Sequence, residues 1–210
     1  MTNAERKAFR LTFCADSAAL MVKRRWVRLE KLLRDALGSR RITRRFAEEI
    51  MLHLSLVVGF PSMIRGLELI AAVSPAVSGS GRHRKSPEAL RASGHKTFRR
   101  VYGSQSDRVL AFLDSLGAGM SASILEHAYG SVFSRRGLSL AEREVLTIVV
   151  LCAHRHSKQL YGHLRGALRS GVTEDDLRTI LARLRRIHRL EISGARRAMA
   201  AIRSRERRKN

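Results

Sequence analysis

Glu144 and His163 are the two residues of this 210-residue sequence whose types and spacing point most directly to chemistry. They stand nineteen positions apart in neighbouring stretches of helical pattern, and a carboxylate that meets an imidazole can hand it a proton or take one back. The same two side chains can also do no more than satisfy each other in a helical core, so both readings stay open. Cys14 and Cys152 share no framework spacing. Thiol redox chemistry needs a thiolate with a resolving partner in reach, and Cys152 stands alone on an apolar helix face, which marks it as a buried structural thiol. His154, His156 and His163 are of zinc-binding type. Residues two apart on a helix, however, point about 200° round the axis from one another, so no metal site is expected. No glycine-rich phosphate loop, Ser-x-x-Lys or Gly-x-Ser-x-Gly element occurs, and no cofactor is expected.

The helix that must carry Glu144 begins after Ser139, where Ser139 and Glu142 have the spacing of a capping box. Val145, Ile148, Val149 and Cys152 recur on one face of a 3.6-residue period, and Glu144 leads that stripe one turn before Ile148. His154-Arg155-His156-Ser157 breaks the apolar run. A second helix is predicted from about 157 to 169, stopped by Gly171, and it carries His163. So short a connection favours antiparallel packing, which would bring Glu144 and His163 into one polar pocket.

The N-terminal third reads as helices over about 4–37, with Phe9, Phe13, Leu20 and Met21 on one apolar side and Trp26, Leu29, Leu33 and Leu37 on the next. After a Gly38 stop, Thr43 caps a helix marked by Phe46, Ile50, Leu54 and Val57. It breaks at Gly59-Phe60-Pro61 and restarts over 62–72. His53 falls within the apolar pattern and reads as a hydrogen-bonded core histidine. Residues 74–94 are rich in Ser, Gly and Pro and read as a surface linker, with Ser86-Pro87 able to start a short helix inside it. Helices follow over 106–116 and 121–133, where Tyr129 and His127 either line the pocket or pack and face solvent respectively. Beyond Gly171, Thr173 with three acids after it opens a further helix, and the basic tail is expected to fray from Arg203.

An internal repeat is weak in identities but keeps the order of elements. Ala4-Glu5-Arg6-Lys7 mirrors Ala141-Glu142-Arg143-Glu144, Ile42-Thr43 mirrors Val172-Thr173, and Ile50, Leu54 and Val57 mirror Ile180, Leu184 and Ile187. On this register Lys7 stands where Glu144 does and Leu32 near where His163 does, so any site belongs to the second copy.

The 44% hydrophobic content is that of a globular chain. The longest apolar runs are too short to cross a bilayer, and Met1 to Arg10 lacks the apolar core of a secretory signal. A cytoplasmic protein without a membrane partner is expected. The net charge of +23 reads either as arginines decorating solvated helix faces or as contact with nucleic acid or another acidic surface. No helix-turn-helix, zinc-finger or aromatic stacking pattern accompanies it. Any such binding is therefore expected to be weak and nonspecific, through basic side chains over 23–45, 82–100 and 178–209 with no individual nucleic-acid-binding residue singled out, and a truncation after about Arg196 is expected to reduce it without harming the fold.

The runs Glu126-His127-Ala128-Tyr129-Gly130-Ser131-Val132-Phe133, Arg143-Glu144-Val145-Leu146-Thr147-Ile148 and Gln159-Leu160-Tyr161-Gly162-His163-Leu164-Arg165-Gly166-Ala167-Leu168 resemble the carboxymuconolactone decarboxylase family, which also contains the alkylhydroperoxidase D proteins. The segment from Glu49 to Pro61 resembles the family again, as a first copy. The resemblance implies an all-α protein of two repeated antiparallel helical units of the alkylhydroperoxidase D-like type: a degenerate first unit over 1–73, a linker over 74–100, and a second unit with its basic tail over 101–210. It casts Glu144 and His163 as a catalytic acid–base pair. Gln159, Arg143, Arg165 and Tyr129 would then bind a small acid or lactone. The peroxidase branch carries a Cys-x-x-Cys where this chain has His156 and Gln159, so thiol peroxidase activity is not expected. The tandem arrangement implies two units about a pseudo-twofold, with a homo-oligomer as a further expectation. The competing class is a non-enzymatic helical scaffold whose basic surface binds an acidic partner.

Overall fold

The computed structural model describes residues 1–75, 86–117 and 119–208, and among these every regular element is helical. The helices are α1 (Asn3–Val22), α2 (Trp26–Gly38), α3 (Arg44–Val73), α4 (Pro87–Tyr102), α5 (Ser106–Leu116), α6 (Met120–Ser123), a π-helix (Ile124–Phe133), α7 (Leu140–Ala153), α8 (Ser157–Arg169), α9 (Glu174–Arg186) and α10 (Ser193–Arg207). They form two compact units. One is Met1–Pro75 with Leu138–Asn210, and the other is Ala76–Gly137.

In the first unit a single hydrophobic core takes residues from both ends of the chain. Its centre is α7, buried continuously from Ala141 to Cys152 and packed against α1, α3 and α8. The spacing of its apolar residues suggests one buried face, but helices cover every side, so Glu142, Arg143, Glu144 and Thr147 are buried too. Hydroxyls satisfy the free amides at helix starts: Thr2 with Glu5, Ser139 with Glu142 and Thr173 with Asp176 form capping boxes, and Thr43 caps α3.

The order helix, tight turn, helix, tight turn, capped helix occurs twice, as α1–α2–α3 and α7–α8–α9. Arg24 and Arg155 take left-handed backbone (φ 52° and 59°) at the first turn, and Arg40 and Gly171 (φ 55° and 91°) at the second. Counted back from Arg24 and Arg155, the partner of Glu144 is Phe13, because α1 has 20 residues and α7 has 14. The cap-to-cap register that sets Lys7 opposite Glu144 therefore fails in the helix interior. Lys7 instead donates to the Gly171 carbonyl at 2.7 Å and to Asp176 at 3.1 Å. Leu32 keeps its place opposite His163, so an apolar pair, Phe13 and Leu32, stands where the second copy has its polar pair.

α3 is the one described helix long and apolar enough to cross a membrane. It is broken at Gly59 (φ 80°, ψ 165°), followed by Phe60-Pro61, and its first half buries Glu49 and His53 in the core. α10 lays Ala195, Ala198 and Ile202 into the core beside α8 and stays helical to Arg207, past the point where the tail was expected to fray.

In the second unit α4 and the π-helix touch backbone to backbone. A side chain at Gly94 would overlap the Leu125 carbonyl, and one at Gly130 the Leu90 carbonyl. Phe98, Tyr102, Tyr129 and Phe133 fill the rest of that contact, with Tyr129 stacked on Phe133 at 4.7 Å. Of the stretch expected to link the units, residues 76–85 lie outside the described residues. Ser86 caps a helix of 16 residues rather than a short one.

Candidate active site

Two polar rungs join α3 to α7 inside the core. Glu49 and His53 lie one turn apart on α3, and Arg143 and Thr147 one turn apart on α7. Arg143 Nη2 reaches Glu49 Oε2 at 3.4 Å, and His53 Nε2 meets Thr147 Oγ1 at 3.0 Å. The Thr147 hydroxyl also donates to the Arg143 carbonyl at 3.0 Å. His53 is thus the hydrogen-bonded core histidine its apolar surroundings predict. Burial first, then the charges of Arg143 and His163, hold its ring well below the usual imidazole range, so it is neutral.

One residue on from Arg143, Glu144 projects toward α8. His163 Nδ1 lies 2.9 Å from Glu144 Oε2, the carboxylate wholly buried and the imidazole slightly exposed. The tight turn at His154–His156 folds α8 back along α7 and closes this contact. Burial pushes the Glu144 carboxyl up, and the nearby His163 pulls it only part of the way back. Its second oxygen, Oε1, is buried without a hydrogen-bond partner, an unsatisfied position of the kind that active sites retain. The pair can hold a proton at the Oε2–Nδ1 contact and pass it through the ring.

The other residues expected to bind substrate are placed variously. Arg165 is half-buried, 5.9 Å from the Tyr161 ring and two residues beyond the histidine on α8. Gln159 is exposed near the start of α8, one turn before His163. Arg143 is fully buried, with Nη2 3.4 Å from Glu49 Oε2. Tyr129 belongs to the other compact unit, where it is buried in the aromatic cluster with its hydroxyl 3.3 Å from that of Tyr102, while His127 is exposed. Glu49, His53 and Thr147, which complete the polar layer, fall within the runs that carry the family resemblance but were not singled out as site residues. What marks them as one layer is the i, i+4 spacing of polar residues inside otherwise apolar helices.

Cys14 and Cys152 are both buried and unpaired. Burial raises both thiols, Cys152 to about 12 with a further push from Glu191, so neither is a thiolate near neutral pH. His154 and His156 are exposed, and among the described residues no three side chains of metal-binding type converge. Two surface clefts lie away from the pair. One, of about 320 Å³, lies between α9 and α10; the other, of about 380 Å³, lies where α8 and α10 begin.

The reach of the likeness to known proteins follows the same elements. Residues 120–203 match the carboxymuconolactone decarboxylase family. Glu144 and His163 both lie within the matched residues. Among curated relatives, the 4-carboxymuconolactone decarboxylase of Acinetobacter baylyi is 35% identical over 75 residues, 36% of this chain and 56% of that protein. Peroxisomal protein 2 of Schizosaccharomyces pombe is 30% identical over 132 residues, 61% of this chain and 62% of that protein. The chain thus spans less than two thirds of the length of either relative.

Proposed function

We propose that the chain is an acid–base catalyst of the carboxymuconolactone decarboxylase type, acting on a small carboxylate or lactone without thiol peroxidase activity. The observation that carries this reading is the buried Glu144–His163 contact at 2.9 Å with the second carboxylate oxygen unpartnered. When a carboxylate leaves as carbon dioxide, its bonding electrons stay on the adjacent carbon, which must gain a proton. His163 supplies that proton from its ring, and Glu144 balances the imidazolium before transfer and fixes the ring's tautomer. Arg165 supplies the cation for an acidic substrate, and Gln159 a hydrogen bond from the turn before His163 on the same helix. A setting inside the cell is part of this reading, supported by two buried cysteines left unpaired.

The test begins with the substrate named for the bacterial relative. Purified protein is given 4-carboxymuconolactone and then a panel of small lactones and acids, with carbon dioxide release and substrate loss followed together. Turnover should fall about 100-fold or more in Glu144→Gln and His163→Ala, the scale of one missing proton-transfer group, and survive in Cys152→Ser. Hydroperoxide turnover that depends on Cys152, or lactone turnover indifferent to both substitutions, would overturn the assignment.

A further inference from the structure

The cleft between α9 and α10 has the composition of a ligand site separate from the Glu144–His163 pair. α10 packs chiefly on α8, and its side next to α9 is left open as a cavity of about 320 Å³, at the small end of the range that takes organic ligands. The lining follows helical spacing on both walls. On α9, Glu174, Arg178 and Leu181 recur at steps of four and three; on α10, Arg196, Met199 and Arg203 recur at steps of three and four. Leu181 and Met199, with Ile192, are buried and give an apolar floor.

Charge at the rim is unbalanced in one direction. Arg178 is paired with Asp175 at 2.6 Å, and Arg203 reaches Glu174 only at 3.5 Å. Arg196 lines the same cleft and stands one turn from Met199. A guanidinium beside an apolar floor matches a single carboxylate on a hydrocarbon body: the fork takes both oxygens while the chain covers Leu181 and Met199. A cation would meet three arginines against the single lining carboxylate of Glu174, and a bare anion would gain nothing from the floor.

We propose that the α9–α10 cleft binds a small monocarboxylate with an apolar tail, held by Arg196 at its head and by Met199 and Leu181 along its body. Methionine methyl groups, labelled with carbon-13 in the full-length protein, report on it directly. The Met199 signal is identified from Met199→Leu. Octanoate should shift that signal saturably, while acetate, inorganic phosphate and octylammonium at the same concentrations should not. Arg196→Gln, a change at an exposed position, should weaken octanoate about tenfold with unchanged circular dichroism. His163→Ala should leave octanoate binding intact, so failure of the cleft and failure of the acid–base reading are told apart. An unmoved Met199 signal, an equal response to octylammonium or phosphate, or full binding in Arg196→Gln would each overturn the proposal.

Discussion

At Glu144 the folded chain holds its proton more tightly than an unfolded carboxyl does, because burial outweighs the help of His163. As pH rises past the ordinary carboxyl value of about 4.3, the unfolded chain releases this proton first, so the folded state loses stability up to the raised value. Glu144→Gln removes the ionisation and keeps a hydrogen-bond partner for His163. Its thermal midpoint should therefore gain on wild type as pH rises above the ordinary carboxyl range, while turnover falls about 100-fold or more. A gap that closes with rising pH would show that the ion pair dominates burial. The thiols give a second expectation at this scale. With Cys152 pushed up to about 12, the native protein should react with a thiol reagent at pH 8 only as fast as it opens, and denaturant should release both cysteines together. The Glu144–His163 contact was legible because both residues sit on adjacent helices joined by a short turn. Arg143 was not, since its partner Glu49 lies 94 residues away and nothing local marks an arginine as buried.

The elements that support the site can be tested through the rungs between α3 and α7. Removing one member of a buried ion pair leaves the other charged and unpaired, whereas removing both can be nearly neutral. Glu49→Ala should cost about 3–5 kcal/mol in denaturant unfolding, and Glu49→Leu combined with Arg143→Met should recover most of it. Equal losses in the single and double variants would mean that packing, not charge, holds the two helices. Helix starts were readable from the chain because Thr43, Ser139 and Thr173 act on amides three residues away, whereas the Thr2 cap was not singled out. The break at Gly59 was readable for the same local reason. What encloses α7 on all sides was not, since burial of a polar stripe depends on which distant helix covers it. The register of the repeat failed similarly. Both copies begin with similar capping residues, but the greater length of α1 carries that likeness out of phase before it reaches Phe13.

For the whole molecule, a net charge of +23 raises the question of an acidic partner, and the structure changes how it must be asked. Ala198, Met199 and Ile202 of α10 are buried, so truncation after Arg196 would remove part of the core along with the charge. Loss of binding in that variant would say nothing about arginines. Arg197, Arg207 and Arg208 are exposed on the same terminal segment, and replacing them with glutamine removes charge while leaving the buried face whole. If these side chains meet phosphates, each such pairing releases condensed counterions, so the logarithm of affinity for a random duplex should fall linearly with the logarithm of salt. The triple variant should flatten that slope by about one unit for each phosphate it no longer neutralises, at most about three. Binding should be independent of sequence and largely gone above physiological salt. Acid–base turnover at the buried pair should respond far less, because interior charges are screened less than those on the surface. Affinity that persists at high salt, or that ignores the three substitutions, would place recognition elsewhere on the surface and count against the terminal arginines as its source.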